Sequence, residues 1–214
     1  MELNEVLRRR RMVRRFDPER EVDPEALRTV LAAATRAPSA GHTQGWELVV
    51  LTGADRATFW DAASPDPQAP PGAWRRGVSA APVLVLLCSS PQAYLDRYAE
   101  PDKGWTDRDP ARWPIPYWDV DTGMAGLLLL LTAVDEGLGA LFFGVPPDRH
   151  DAVRGALGVP KQLRLVGVVA LGHEARRVRS PSLARGRRGV EEVVHWGRFG
   201  ASQPGERPAT GEDG

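Results

Sequence analysis

The spacing of apolar residues predicts several helices. After Pro24, apolar side chains recur at the three- and four-residue intervals of an amphipathic helix: Leu27, Val30, Leu31 and Ala34. Asp23 precedes Pro24 as an N-cap, and proline at the first helical position strengthens this start signal. Further helices are predicted at residues 2–11 and 147–157. The longest apolar stretch, residues 121–136, predicts a helix that is buried on nearly every side.

Short apolar runs predict strands at residues 47–51, 83–88 and 163–171, with a further strand or turn at residues 140–144. Because helices and strands alternate, the class is α/β or α+β with a mixed sheet.

Two stretches are predicted to lack regular structure. Residues 61–72 are rich in proline, alanine and aspartate, which is typical of a mobile surface loop. Residues 91–119 combine six aromatic residues with several prolines. This second stretch is either a lid over a binding site or a surface excursion held together by its aromatic side chains.

Length and composition indicate one domain in a reducing compartment. The 214 residues suit a domain over residues 1–199, followed by a tail at residues 200–214 that lacks apolar anchors and is expected to be disordered. The lone cysteine, Cys88, excludes an intrachain disulfide. We find no signal peptide and no apolar run long enough to span a bilayer, so a cytoplasmic protein without a membrane partner is expected.

Six arginines occupy the eight positions from residue 8 to residue 15. Such a segment is either a solvated basic patch or a binding site for an anion, because the guanidinium fork fits phosphate in a bidentate way. Lys+Arg and Asp+Glu both number 28, so the positive charge is local within a neutral chain. The balance favours a small anionic ligand and argues against a nucleic-acid partner.

Several common site types are absent from the sequence. There is no Rossmann glycine fingerprint, no phosphate-binding P-loop and no nucleophile elbow. The four histidines lack the spacing of metal ligands, so no metal site is predicted.

Four segments taken together resemble the FMN-dependent nitroreductase superfamily. They are the Arg-Arg-Met-Val-Arg-Arg-Phe run at residues 10–16, the Ala-Pro-Ser-Ala-Gly-His-Thr-Gln-Gly-Trp run at residues 37–46, Gly-Leu-Gly at residues 137–139, and the Arg-x-Arg pair at residues 185–187 before residues 193–196. The resemblance covers roughly residues 3–198.

The resemblance implies a fold and a reaction. The fold would be α+β, in a three-layer arrangement with a mixed, mostly antiparallel central sheet flanked by helices. The chain would form a domain-swapped type of homodimer with the helix at residues 121–136 in the interface. It would use FMN and NAD(P)H in a ping-pong hydride transfer to a small nitro-, quinone- or enone-like acceptor, with the flavin N5 rather than a side chain carrying the chemistry.

The resemblance also implies the cofactor contacts. The FMN phosphate and ribityl chain would be held by Arg10, Arg11, Met12 and Arg14. Arg185 and Arg187 would bind the same phosphate. The flavin of the other subunit would be reached by Pro38, Ser39, Ala40 and His42. The isoalloxazine ring would be lined by Phe142, Phe143 and Gly144.

Three positions depart from the family pattern. Met12 stands where the family usually has serine, His42 where it has asparagine, and Gly45 where it has proline. Alternatives therefore stay open: a flavin-binding carrier or sensor without turnover, or a specialised flavin enzyme of the flavin-destructase-like or dehalogenase-like branch. A deazaflavin in place of FMN or nicotinamide is a further alternative.

Overall fold

The computed structural model describes residues 1–177 and 180–203. Contacts divide them into a compact unit up to residue 177 and a small unit from residue 180 onward. Residues 204–214 of the predicted tail lie outside the described part, and its disorder stays a prediction.

The helices of the first unit are α1 (Leu3–Arg9), α2 (Pro24–Ala34), α3 (Asp55–Ala63), α4 (Ala73–Ser79), α5 (Pro91–Ala99), α6 (Tyr117–Asp135) and α7 (His150–Leu157). Its strands are β1 (Trp46–Leu51), β2 (Val83–Ser89), β3 (Gly139–Phe143) and β4 (Arg164–Gly172). The second unit contains the short helix α8 (Val190–Val193). Within the described residues, no helix is both long and apolar enough to cross a membrane.

The four strands form one sheet in the order β1-β2-β4-β3, and every neighbouring pair is antiparallel. The arginine segment attaches to the β3 side of this sheet. Met12 forms a parallel bridge with Ala140, and Phe16 forms an antiparallel bridge with Glu174. The four strands are antiparallel throughout, with one isolated parallel bridge to the arginine segment, and this sheet with its helices confirms the predicted α+β class.

Helices cover both faces of the sheet. Alternate residues of β2 point to opposite sides, so that Leu84 and Leu86 join one hydrophobic cluster while Val83 and Val85 join the other. The first cluster includes side chains of α3, α4 and α7, and the second includes side chains of α2 and α6. This arrangement confirms the three layers.

Two predicted irregular stretches are wrong in part. Helix α3 continues to Ala63, so the stretch predicted at 61–72 begins inside a helix. The stretch predicted at 91–119 contains α5, which starts with Pro91 in its first turn and with the Ser90 hydroxyl accepting a hydrogen bond from the Ala93 amide at 3.3 Å. Helix α6 also begins at Tyr117, four residues before its predicted start.

Candidate functional site

Backbone and side-chain bonds fix the arginine segment in place. The Val13 amide donates to the Ala140 carbonyl at 2.9 Å. The Arg11 guanidinium makes a bidentate pair with the Glu174 carboxylate, with Nη2 to Oε2 at 2.5 Å and Nη1 to Oε1 at 3.2 Å. The segment therefore crosses the end of the sheet in a defined conformation rather than as a free basic arm.

Helix α4 approaches the segment closely at Gly77. The Phe16 amide donates to the Gly77 carbonyl at 3.2 Å. A Cβ atom on Gly77 would lie 2.2 Å from the backbone oxygen of Arg14, which is far inside van der Waals contact. The missing side chain is thus what lets α4 and the arginine segment meet.

The arginines of the segment differ in burial and pairing. Arg8, Arg9 and Arg15 are exposed, and Arg9 pairs with Glu5 at 3.3 Å. Arg10 and Arg14 are half-buried, and neither pairs with a carboxylate among the described residues. The Arg14 Nη1 atom donates to the Met12 carbonyl at 3.0 Å. These two guanidiniums therefore keep charge that no acidic side chain of the described chain neutralises.

An open pocket of about 300 Å³ lies beside the segment, and we name it the arginine pocket. Its cationic lining consists of Arg15, Arg76 and Arg176, and no carboxylate is among the described residues that line it. Three guanidiniums without an acid around one opening favour an anionic ligand. The sequence did not single out Arg76 or Arg176, because arginine is common throughout this chain and only folding brings them beside Arg15.

The predicted loop around residues 38–42 is tied to the buried Asp121 of α6. The Asp121 Oδ2 atom accepts a hydrogen bond from the Ala40 amide at 2.8 Å and another from the Tyr94 hydroxyl at 2.7 Å. Burial, followed by this hydrogen bond, raises the pKa of Tyr94 above its usual range. The Ser39 hydroxyl accepts from the Gln44 amide at 2.9 Å, so the loop is also closed on itself.

The same loop contains residues in a strained backbone conformation. His42 and Gln44 have φ values of 55° and 52°, and Gly41 between Ala40 and His42 has 61°. Non-glycine residues in this region cost of order 1–3 kcal/mol and cluster at functional sites. The Arg97 Nε atom donates to the Gly41 carbonyl at 2.9 Å, and this bond helps to hold the loop with His42 exposed.

The structure does not bring Phe142 and Phe143 onto one surface. They are consecutive residues of β3, so their side chains point to opposite faces of the sheet. Phe142 lies over Gly167, whereas Phe143 stacks on Trp60 with ring centroids 5.5 Å apart and planes 5° from parallel. The two phenyl rings therefore face opposite sides of the sheet, and the assignment of both residues to the isoalloxazine ring stays a prediction.

The other residues predicted to contact the cofactor differ in their burial. Pro38 and Gly144 are exposed, and Met12 is half-buried against both hydrophobic clusters. Arg185 and Arg187 are exposed and belong to the second unit, so their approach to a phosphate stays a prediction.

Cys88 is an unsuitable nucleophile. Its side chain is fully buried in β2, and burial raises the pKa of its thiol to about 11. The thiol is therefore protonated at neutral pH, and the reactive thiolate is not formed.

Comparison with known proteins places these features in a wider context. The model of the nitroreductase family matches residues 7–173. A protein of Archaeoglobus fulgidus, assigned as an NADH dehydrogenase/NAD(P)H nitroreductase, is 28% identical over 166 residues, which cover 77% of this chain and 80% of that protein. The NADH dehydrogenase of Thermus thermophilus is 30% identical over 210 residues, covering 88% and 92% of the two chains.

Solved structures resemble the fold. One is a protein of Desulfovibrio desulfuricans that was assigned as a nitroreductase and crystallised with FMN. It superimposes with a TM-score of 0.66 at 24% identity, covering 91% of this chain and 95% of that one. At 24% sequence identity, this structural similarity establishes the fold alone.

Proposed function

Because the chain belongs to the nitroreductase family, we propose that it is an FMN-dependent oxidoreductase that takes electrons from NAD(P)H. The observation that carries the proposal is the arginine segment: two half-buried guanidiniums, Arg10 and Arg14, are held beside the sheet without a carboxylate partner among the described residues. A phosphate dianion is the ligand that such a donor set fits.

The residues present fit the cofactor. Arg10 and Arg14 would hold the phosphate, and the next residue of the segment, Arg15, lines the arginine pocket. FMN, when bound, would supply the hydride chemistry at N5. The chain supplies binding, charge and the exclusion of water, and no side chain has to act as a nucleophile.

The reaction follows a ping-pong order in this proposal. NAD(P)H would bind first and leave in its oxidised form, and a small nitro-, quinone- or enone-like acceptor would then bind in its place. The names of the two relatives given above support a nicotinamide dinucleotide as the electron donor. The exposed His42, on a loop fixed by Asp121, would contact the flavin edge of a partner subunit.

A spectrum tests the proposal directly. The purified protein, or the protein after incubation with FMN and removal of the excess, should show flavin absorption, and NAD(P)H should bleach it within seconds under anaerobic conditions. A colourless protein that takes up no FMN would contradict the proposal. Binding without bleaching would identify a flavin carrier or sensor instead.

Arginine substitutions test the phosphate assignment. Because each charge-assisted hydrogen bond contributes roughly 1.5–3 kcal/mol, Arg10→Ala and Arg14→Ala should each weaken FMN binding by about tenfold or more in a fluorescence titration. Arg9→Ala is the matched control, since Arg9 is exposed and paired with Glu5, and it should keep the parental affinity. Equal affinities for all four proteins would show that the phosphate lies elsewhere.

We also propose a homodimer. Helix α6 is buried against the core on one side, yet it leaves Val120, Met124 and Leu127 exposed at three- and four-residue intervals. Helix α1, which contacts α6, adds exposed Leu3 and Leu7. Exposed apolar stripes of this kind mark protein interfaces, and a second copy of the chain is the partner that the family supports.

A further inference from the structure

The lining of the arginine pocket is cationic and otherwise small or apolar. Its charged members are Arg15, Arg76 and Arg176, and the other described lining residues, among them Phe16 and Ala80, include no acid. The pocket measures about 300 Å³, which is twice the volume of about 150 Å³ that accommodates benzene. It therefore has room for an anionic group together with part of the molecule that carries it.

The three arginines of this pocket keep their positive charge available to a ligand. All three are exposed, and none pairs with a carboxylate within the described part of the chain. Arg76 donates to the Pro71 carbonyl, a neutral acceptor that anchors the side chain without cancelling its charge. Glu174 lies two positions before Arg176, but its carboxylate is held in the bidentate pair with Arg11. An anion from solvent therefore meets no competing acid of the described lining.

The pocket is lined by other residues than those proposed to hold the FMN phosphate. Neither Arg10 nor Arg14 is among its described lining residues. The pocket nevertheless begins at the next residue of the segment, Arg15, and α4 packs against the Arg14 carbonyl at Gly77. Because the Cα atoms of consecutive residues are about 3.8 Å apart, the two positions for an anion are neighbours along the arginine segment.

We propose that the arginine pocket binds the phosphate monoester that NADPH has and NADH lacks. Such a group carries a charge of about −1.5 to −2 at pH 7, and guanidinium groups bind it through bidentate, charge-assisted hydrogen bonds. NADH has a neutral hydroxyl at the same position and gains little from a cluster of arginines. The pocket would therefore select NADPH as the electron donor.

The identity of the ligand as NADPH rests on the proposed function, whereas the binding of a phosphate monoester does not. If the chain takes electrons from a nicotinamide dinucleotide, a second phosphate position beside the one for FMN suits the end of that dinucleotide remote from the reacting ring. The arginine pocket would then contribute to the binding of the donor and not to the chemical step, so it should act on KM and not on kcat.

Calorimetric titration of the purified full chain with NADP⁺ and with NAD⁺ tests the proposal, because the two compounds differ by this phosphate alone. NADP⁺ should bind roughly five- to fiftyfold more tightly at about 0.05 M salt, and the ratio should shrink at about 0.5 M salt as screening grows. Equal affinities at low salt would overturn the proposal. Inorganic phosphate that binds as tightly as NADP⁺ would also overturn it, because the pocket would then hold a free anion only.

Two substitutions locate the binding to this pocket. Arg76→Gln and Arg176→Gln remove one charge each, and each should weaken NADP⁺ binding by roughly three- to tenfold while leaving NAD⁺ binding unchanged. Arg28→Gln is the matched control, because Arg28 is exposed on α2, pairs with Glu25 at 2.6 Å and lies outside the pocket lining. Parental NADP⁺ affinity in both pocket variants would reject the site.

FMN binding separates the pocket from the flavin site. Arg76→Gln and Arg176→Gln should take up FMN with parental affinity, whereas Arg14→Ala should not. An Arg76→Gln protein that lost FMN affinity as strongly as Arg14→Ala would show that the pocket is part of the flavin site, and the proposal would be wrong.

Steady-state kinetics with flavin-loaded protein test the choice of electron donor. Arg76→Gln should raise the KM for NADPH by roughly three- to tenfold and leave kcat and the KM for NADH unchanged. Equal changes for both donors would reject the pocket as a site for NADPH. A protein that binds NADP⁺ through Arg76 and Arg176 but takes up no FMN would overturn the proposed function and leave the phosphate site standing. FMN reduction that is equally efficient with both donors and insensitive to both substitutions would do the reverse.

Discussion

Gly77 shows how a single absent side chain places the charged residues of this molecule. Because a Cβ atom there would lie 2.2 Å from the Arg14 carbonyl oxygen, Gly77→Ala must push α4 away from the arginine segment. We expect the free energy of unfolding to fall by about 1–3 kcal/mol, as in other overpacked sites, when measured by urea denaturation. FMN affinity should fall with it.

Gly155→Ala provides the control for this substitution. Gly155 is exposed in α7, and a Cβ atom there meets nothing within 4 Å. Alanine should stabilise the protein by about 0.5–1 kcal/mol through its helix propensity. A Gly77→Ala protein that gains stability in the same way would show that the close approach to Arg14 is not required.

The raised pKa of Tyr94 predicts that the protein loses stability at alkaline pH. Its pKa in the folded protein is raised by burial and by its hydrogen bond to Asp121, whereas an unfolded tyrosine titrates near pH 10. Above about pH 10 the unfolded chain therefore loses this proton first, and the free energy of unfolding should fall by about 1.4 kcal/mol per pH unit. Below that pH, this contribution to stability is fully present.

Denaturant unfolding between pH 9 and 11.5 measures this contribution. Tyr94→Phe should show a shallower alkaline decline than the parent, and the exposed Tyr117→Phe should decline as the parent does. Cys88 titrates in the same range in all three proteins, so the difference between their slopes isolates Tyr94. Identical slopes would exclude Tyr94 as a source.

Sequence reasoning could identify candidate site residues that are neighbours within one short segment of the chain. The family resemblance assigned Arg10 and Arg14, which are half-buried, to the phosphate together with Arg11, which is exposed. It could not find Arg76, because the contact between this residue and the arginine segment depends on how α4 packs. The hydrogen bonds of Asp121 with Ala40 and Tyr94 could not be predicted either, because they join residues that are 81 and 27 positions apart.

At the scale of elements, helix starts with a strong local signal were predictable. The Asp23 carboxylate accepts from the Glu25 and Ala26 amides at 2.9 and 3.1 Å, as the Asp-Pro pair before α2 predicts. Asp23→Ala should therefore lower the free energy of unfolding by about 0.5–2 kcal/mol, while Asp23→Asn should largely preserve it. Equal losses in both variants, measured by thermal unfolding, would indicate that the negative charge of Asp23 stabilises α2 more than its capping hydrogen bonds do.

The missed helices had weaker or misleading signals. Ser90 and Pro91 carry nearly the same start signal as Asp23 and Pro24, but the aromatic residues and prolines that follow made the whole stretch look irregular. In α3 the buried Phe59 and Trp60 are adjacent, so no three- or four-residue period is visible. Tertiary packing, rather than amphipathic spacing, stabilises that helix.

At the scale of the whole molecule, the fold superimposes on solved structures such as the one crystallised with FMN, and the exposed apolar stripe of α6 predicts the assembly. Leu127→Glu would put a charge into an apolar interface, so the variant should elute as a monomer where the parent elutes as a dimer in size-exclusion chromatography with light scattering. Ala32→Glu on the exposed side of α2 is the control and should leave the mass unchanged. A monomeric parent would contradict the proposed homodimer.

The Asp121 carboxylate gives the loop at Ala40 and helix α5, which are far apart in sequence, a shared opening equilibrium. One oxygen accepts from the loop at Ala40 and from α5 at Tyr94, so releasing either donor leaves a buried oxygen with fewer hydrogen bonds and weakens the hold on the other. Loop and helix are therefore cooperative, and fluctuations of one bias the other. The exchange rate of the Ala40 amide with deuterated solvent consequently reports on both, and any ligand that orders the loop should slow motion in α5 as well.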